Sequence, residues 1–118
     1  MDIELNDDNV FWVLENKKIT VLGDFIDALY DKRLSSVVAL SMDSIHFFSK
    51  DGVLITIKQF ILRDPSYHMY CLANELSNIG AVIRVVIAHE PPFRGERFWQ
   101  HDINFENGII SEPIAQWR

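Results

Sequence analysis

The sequence predicts an α+β domain, and three observations carry that reading. Four runs are rich in β-branched and apolar residues, at 37–41, 44–49, 53–62 and 81–88. Two other stretches space their apolar residues as amphipathic helices do, one from Val21 to about Lys32 and one from Asp64-Pro65 to Gly80. The second of these lies between the runs at 53–62 and 81–88, in the order of a strand–helix–strand crossover. The expected architecture is a single domain over residues 1–118, with a central mixed sheet, two helices and a C-terminal hairpin.

Taken in order, residues 1–8 read as a frayed or edge-forming start. Val10-Phe-Trp-Val-Leu14 is a short apolar run, read as a strand with a turn at Glu15–Lys18. Thr20 is a fair N-cap for the first helix, in which Leu22, Phe25, Ile26 and Leu29 share one face. On that helix Asp24, Asp27 and Asp31 lie opposite the apolar stripe. Val37–Ser41 and Ser44–Ser49 are strands, and Ser49-Lys-Asp-Gly52 is a hairpin turn that leads into a long strand. Pro65 suits the first position of a helix, Asp64 or Ser66 can cap it, and Gly80 suits its end. Met69, Leu72, Ala73, Leu76 and Ile79 form its stripe, with Leu72 and Leu76 as core residues. The strand 81–88 follows. His89 to Asp102, punctuated by Pro91, Pro92 and Gly95, reads as a loop. Residues 103–110 read as a hairpin about Asn107-Gly108, and Trp117 is placed to pin the C-terminus.

Composition limits the functions. Apolar residues make up 48 % of the 118-residue chain, which suffices for a core, and the one cysteine, Cys71, excludes an internal disulfide. The acidic start does not match a signal peptide, and Arg84 interrupts the best apolar run, so no membrane partner and a cytoplasmic location are expected. The net charge of −6 is concentrated at one end. Residues 1–31 hold Asp2, Glu4, Asp7, Asp8, Glu15, Asp24, Asp27 and Asp31 against Lys17 and Lys18, which already amounts to −6; the remainder is balanced. Nucleic acid is therefore not an expected partner, and a basic protein is.

Four constellations could carry chemistry. His89, Glu90, His101 and Asp102 are metal-ligand types, but their spacing matches no recognised site, so no metal, cofactor or catalytic residue is expected. His46 and His68 could act as an acid–base pair only if the fold joined them. Arg94, Arg97 and Trp99, with Phe93 and Phe98, are the residue types that anchor protein interfaces. The acidic set Asp24, Asp27 and Asp31, with Asp7, Asp8 and Glu15 nearby in sequence, could plug a basic cleft.

Small, acidic and without a catalytic motif, the chain resembles in general character the immunity proteins of bacterial contact-dependent growth inhibition and related polymorphic toxin systems. The Asp24, Asp27, Asp31 stripe is similar to the acidic helix that barstar-like inhibitors present to a nuclease. The resemblance implies an inhibitor, monomeric or weakly dimeric, that binds a cognate, basic toxin domain and blocks its active site or substrate path. The alternative is a small enzyme or ligand-binding domain using the His89–Asp102 loop.

Overall fold

In the computed structural model the apolar alternation of the chain is β-structure throughout. It describes residues 1–62, 64–77, 80–104 and 106–117, without the side chains of 74–77 and 80–82. Among the described residues eleven strands form three antiparallel sheets and no helix occurs. The expected α+β architecture with a mixed sheet is thereby corrected to all-β. The chain comprises two compact units, Met1–Lys58 and Gln59–Arg118.

In the first unit β1 (Glu4–Leu5), β2 (Asn9–Leu14) and β3 (Lys17–Leu22) form one sheet. Glu15 and Asn16, both at positive φ, make the two-residue turn between β2 and β3. The second sheet orders β4 (Asp27–Asp31), β5 (Ser36–Leu40), β6 (Ser44–Phe48) and β7 (Leu54–Gln59) as a meander. Its members at 37–41, 44–49 and 53–62 match three of the expected strands, with β7 shorter than foreseen. Val10 and Trp12 from β2, Val21 from β3, Phe25, Val37 and Ala39 from β5, and Phe48 from β6 form one core between the two sheets. The period of two in Val10/Trp12 and Val37/Ala39 is what a strand needs to present one face. Trp12 also donates its indole N–H to the Lys50 carbonyl at 2.8 Å, which ties β2 to the β6–β7 turn.

The first expected helix, Val21–Lys32, is instead the end of β3, a connection through Gly23, and β4. Leu22, assigned to the buried stripe, is 79 % exposed, whereas Phe25 is buried. The helical spacing was the accidental sum of two strands and the link between them.

In the second unit β8 (Tyr67–Ser77), β9 (Gly80–Phe93), β10 (Glu96–His101) and β11 (Ala115–Gln116) form a meander in the order β11-β10-β9-β8. The second expected helix is β8. Its apparent stripe has a specific cause. Met69 pairs with Ile87 and Cys71 with Val86, so Tyr70 and Cys71 together oppose one residue of β9. That bulge shifts the alternation by one place. Met69 and Leu72, three apart as on a helix, thus both lie on the Val85/Ile87 face, and both are buried. Ala73, opposite Arg84, lies on the other face. Leu72 is a core residue as expected, in a strand; the side chain of Leu76 and residue Ile79 lie outside the described residues.

Strand 81–88 exists within β9, but it pairs with β8 and β10 and belongs to a different sheet from β7, so there is no crossover. Residues 89–102 are not a loop: β9 continues to Phe93 and returns as β10. The link is a two-residue turn of Arg94 (φ 49°) and Gly95 (φ 80°), the conformation that matches strand twist. Asn107-Gly108 does lie in a turn, with Ile103 bridging Ile110 and Gly108 at φ 72°. Trp117 is pinned through its amide to the Phe98 carbonyl and by ring contacts with Tyr70 and Phe98. No helix of the described residues is long and apolar enough to cross a membrane.

Truncation to alanine tests each core: Trp12→Ala should cost about 3–5 kcal/mol and Leu72→Ala about 2–5 kcal/mol in urea unfolding. Gly108→Ala should also destabilise, because a Cβ there would lie 2.1 Å from the Gln59 carbonyl oxygen at a positive φ; the expected loss exceeds about 1 kcal/mol.

Candidate partner-binding site

Three connections of the first unit meet around a concavity of about 360 Å³ lined by Leu5, Asn6, Asp7, Asp24, Phe25, Ile26 and Met42. Each is held by main-chain bonds. Gly23 N–H donates to the Asp8 carbonyl at 2.9 Å, joining the β3–β4 and β1–β2 connections. Ile26 N–H donates to Leu40 at 2.8 Å, joining β4 to the end of β5. Asn6 and Asn9 bond to one another, and Asn9 donates to the Asp8 carboxylate at 2.8 Å. Met42 sits on a turn braced by Ser41, Asp43 and Ser44, with Ser41 Oγ donating to Asp43 at 3.0 Å. Leu5 and Met42 are exposed. The lining thus combines apolar side chains with the exposed carboxylates Asp7 and Asp24, and Asp8 is next in the chain. A second concavity, lined by Asp2, Glu4, Phe11, Trp12 and Val13, repeats the pattern on β1 and β2.

The helical stripe of Asp24, Asp27 and Asp31 does not exist, because the helix does not. Asp24 is exposed in the β3–β4 connection. Asp27, in β4, is half-buried and accepts the Ala28 amide at 2.9 Å. Asp31 is 3 % exposed; its Oδ1 accepts the Arg33 and Leu34 amides at 2.8 and 3.2 Å and so shapes the β4–β5 turn. What joins Asp7 to Asp24 is the approach of two connections distant in sequence, which no local pattern signals.

The Arg and aromatic residues divide likewise. Trp99 is buried and donates its indole N–H to the Glu96 and Phe93 carbonyls at 2.9 and 3.2 Å, closing the β9–β10 turn. Arg94 lies over Phe93, and Arg97 lies over Phe98 and pairs with Glu90; both arginines are exposed.

The fold brings His89 and His101 together, with Nε2 atoms 3.0 Å apart and ring centroids 5.2 Å apart, so the rings meet nearly end to end. Both are buried. The Ser111 carbonyl accepts from His101 Nδ1–H at 2.8 Å. His101 in its neutral form therefore offers a lone pair at Nε2, and His89 Nε2–H donates to it. Glu90 and Asp102 are exposed and turned to other partners, Arg97 and Arg84. Among the described residues no group of three or more His, Cys, Asp or Glu could hold a metal ion. His46 lies in the first unit, bonded to Ser44 Oγ at 3.0 Å, and His68 is exposed on β8 in the second. Cys71, on β8, is half-buried.

Burial, and then the neighbouring His101, lowers the His89 pKa below the ordinary histidine value, with Asp64 opposing. Burial likewise lowers His46, with Asp43 opposing. In the unfolded chain both titrate near 6.5. As pH falls, the unfolded state takes up protons first. Stability is therefore full above about pH 7 and declines as pH drops through about 6.5 towards the lowered folded values. Urea midpoints measured across that window should fall with pH, and His89→Gln should flatten the fall.

No protein-family model, curated protein or solved structure matches this chain.

Proposed function

We propose that the protein is an inhibitor of the immunity type, which binds a basic toxin domain of a bacterial toxin system and blocks its active site or substrate path. The observation that supports this reading is the concavity where Asp7 and Asp24 flank exposed Leu5 and Met42. Protein interfaces likewise combine apolar and charged groups on one surface. Its charge is the sign that a basic surface complements, and the −6 concentrated in residues 1–31 adds long-range attraction. The second acidic concavity at Asp2 and Glu4 extends the same charge along β1. The near-complete burial of His89 and His101 weighs against the alternative of an enzyme acting through them.

The test is association with the toxin domain encoded beside the gene. Reversing Asp7 and Asp24 together to Lys should slow association at least about tenfold at low salt and flatten its salt dependence. Asp31→Asn, at a buried position, should leave the rate unchanged. A double variant that associates as fast as the parent removes the concavity from the interface. Failure of the parent to bind or protect against any neighbouring gene product removes the inhibitor reading.

A further inference from the structure

We propose that the free edge of β7 pairs with the β7 edge of a second copy of this chain, so that two β4–β7 sheets join into one continuous antiparallel sheet. β7 is the last strand in its sheet. Natural edge strands are shortened, charged, bulged or covered, because their unpaired main-chain groups will accept another strand. This one carries a single such protection, Lys58, at its far end: Val53, Leu54, Ile55 and Ile57 are 64, 46, 59 and 46 % exposed, and no other charge lies from Val53 to Lys58.

The main chain specifies which groups await a partner. Val53 directs both its N–H and its carbonyl at Ser49, towards β6. Main-chain groups alternate sides along an antiparallel strand, so Ile55 and Ile57 bond β6 while Leu54, Thr56 and Lys58 point outward. An extended strand is the occupant this chemistry requires.

Charge and side-chain pattern select a second copy. Two β7 strands related by a twofold axis normal to the sheet can place Ile55 opposite Ile55 of the second copy, Val53 opposite Ile57, and Leu54 opposite Thr56. The outward main-chain groups of Leu54 and Thr56 then bond one another, and the apolar pairs fall at the non-hydrogen-bonded positions, where side chains come closest. In this register Lys58 faces Gly52, which has no side chain, beside exposed Asp51 of the second copy. The twofold axis makes two such Lys58–Asp51 ion pairs, one at each end of an apolar centre. Neither residue has an ion-pair partner within its own chain among the described residues. A basic partner is disfavoured here, because it would meet Lys58. The paired edge is about 20 Å long, less than a standard interface offers, so the dimer is weak and forms at high concentration.

Sedimentation equilibrium on the full chain from about 1 μM to about 1 mM tests this. The mass should rise from 13.7 kDa towards twice that value. Asp51→Lys or Lys58→Asp alone should weaken the dimer about fivefold or more, and the two together should restore it. Ile55→Lys should abolish it. Hydrogen exchange on the unaltered protein needs no variant: the Leu54, Thr56 and Lys58 amides should gain protection as concentration rises, while those of Ile55 and Ile57 stay constant. A chain that remains monomeric throughout, a dimer that survives Ile55→Lys, a double charge swap that fails to restore pairing, or the absence of new protection at those three amides would each overturn the proposal.

Discussion

Main-chain pairing between antiparallel strands is the constraint from which the rest of this structure follows. A helix satisfies its peptide groups within itself, whereas a strand finds partners only on a neighbour. In a chain whose described residues contain no helix, each strand depends on a turn that returns the next one at its side. Hence the local economy of the turns. Glu15-Asn16 and Arg94-Gly95 use two residues, both at positive φ, and Gly52, at φ 84° with Ile19 packed against it, closes β6 to β7. Where the pairing must change phase it does so by a bulge at Tyr70 and Cys71, which keeps Met69 and Leu72 on one buried face.

The same topology places the charges. Antiparallel meanders gather their connections at the ends of the sheets, and the acidic residues of the first quarter fall largely in those connections or on the short edge strand β1. Asp7, Asp8 and Asp24 become neighbours of exposed apolar groups there because Gly23 and Ile26 tie their connections together. Asp27 and Asp31 fall within a strand, where one is half-buried and the other stays buried by accepting two turn amides. A carboxylate row that would have served one helix face is thus divided between a surface role and a structural one.

Polar groups inside the second unit are paired in ways that suit burial. Arg84 interrupts an apolar strand, yet its guanidinium reaches Asp102 at 3.1 Å and Gln100 at 3.4 Å. His89 and His101 share one proton between their facing nitrogens, and the Ser111 carbonyl sets the orientation of the second ring. Two positive imidazoles could not keep that contact, so the pair links the packing of β9 and β10 to the neutral state.

By itself the sequence determined what local patterns encode. The β-rich runs at 37–41, 44–49 and 81–88 are strands, the Ser49–Gly52 and Asn107-Gly108 signals are turns, and Leu72 is buried, because β-branched runs and glycine turns act over a few residues. The concentration of acid in residues 1–31 was equally legible. Tertiary structure alone decided the rest. Spacings of three and four in Val21–Lys32 and in Met69–Leu76 fit a helix as well as they fit strands broken by a connection or shifted by a bulge. Only partner strands distant in sequence resolve that ambiguity, by offering the hydrogen bonds and the buried face that outweigh local propensity. The meeting of Asp7 with Asp24, of His89 with His101, and the exposure of β7 as an edge are set by strand order, which depends on contacts across the whole sheet and not on neighbouring residues.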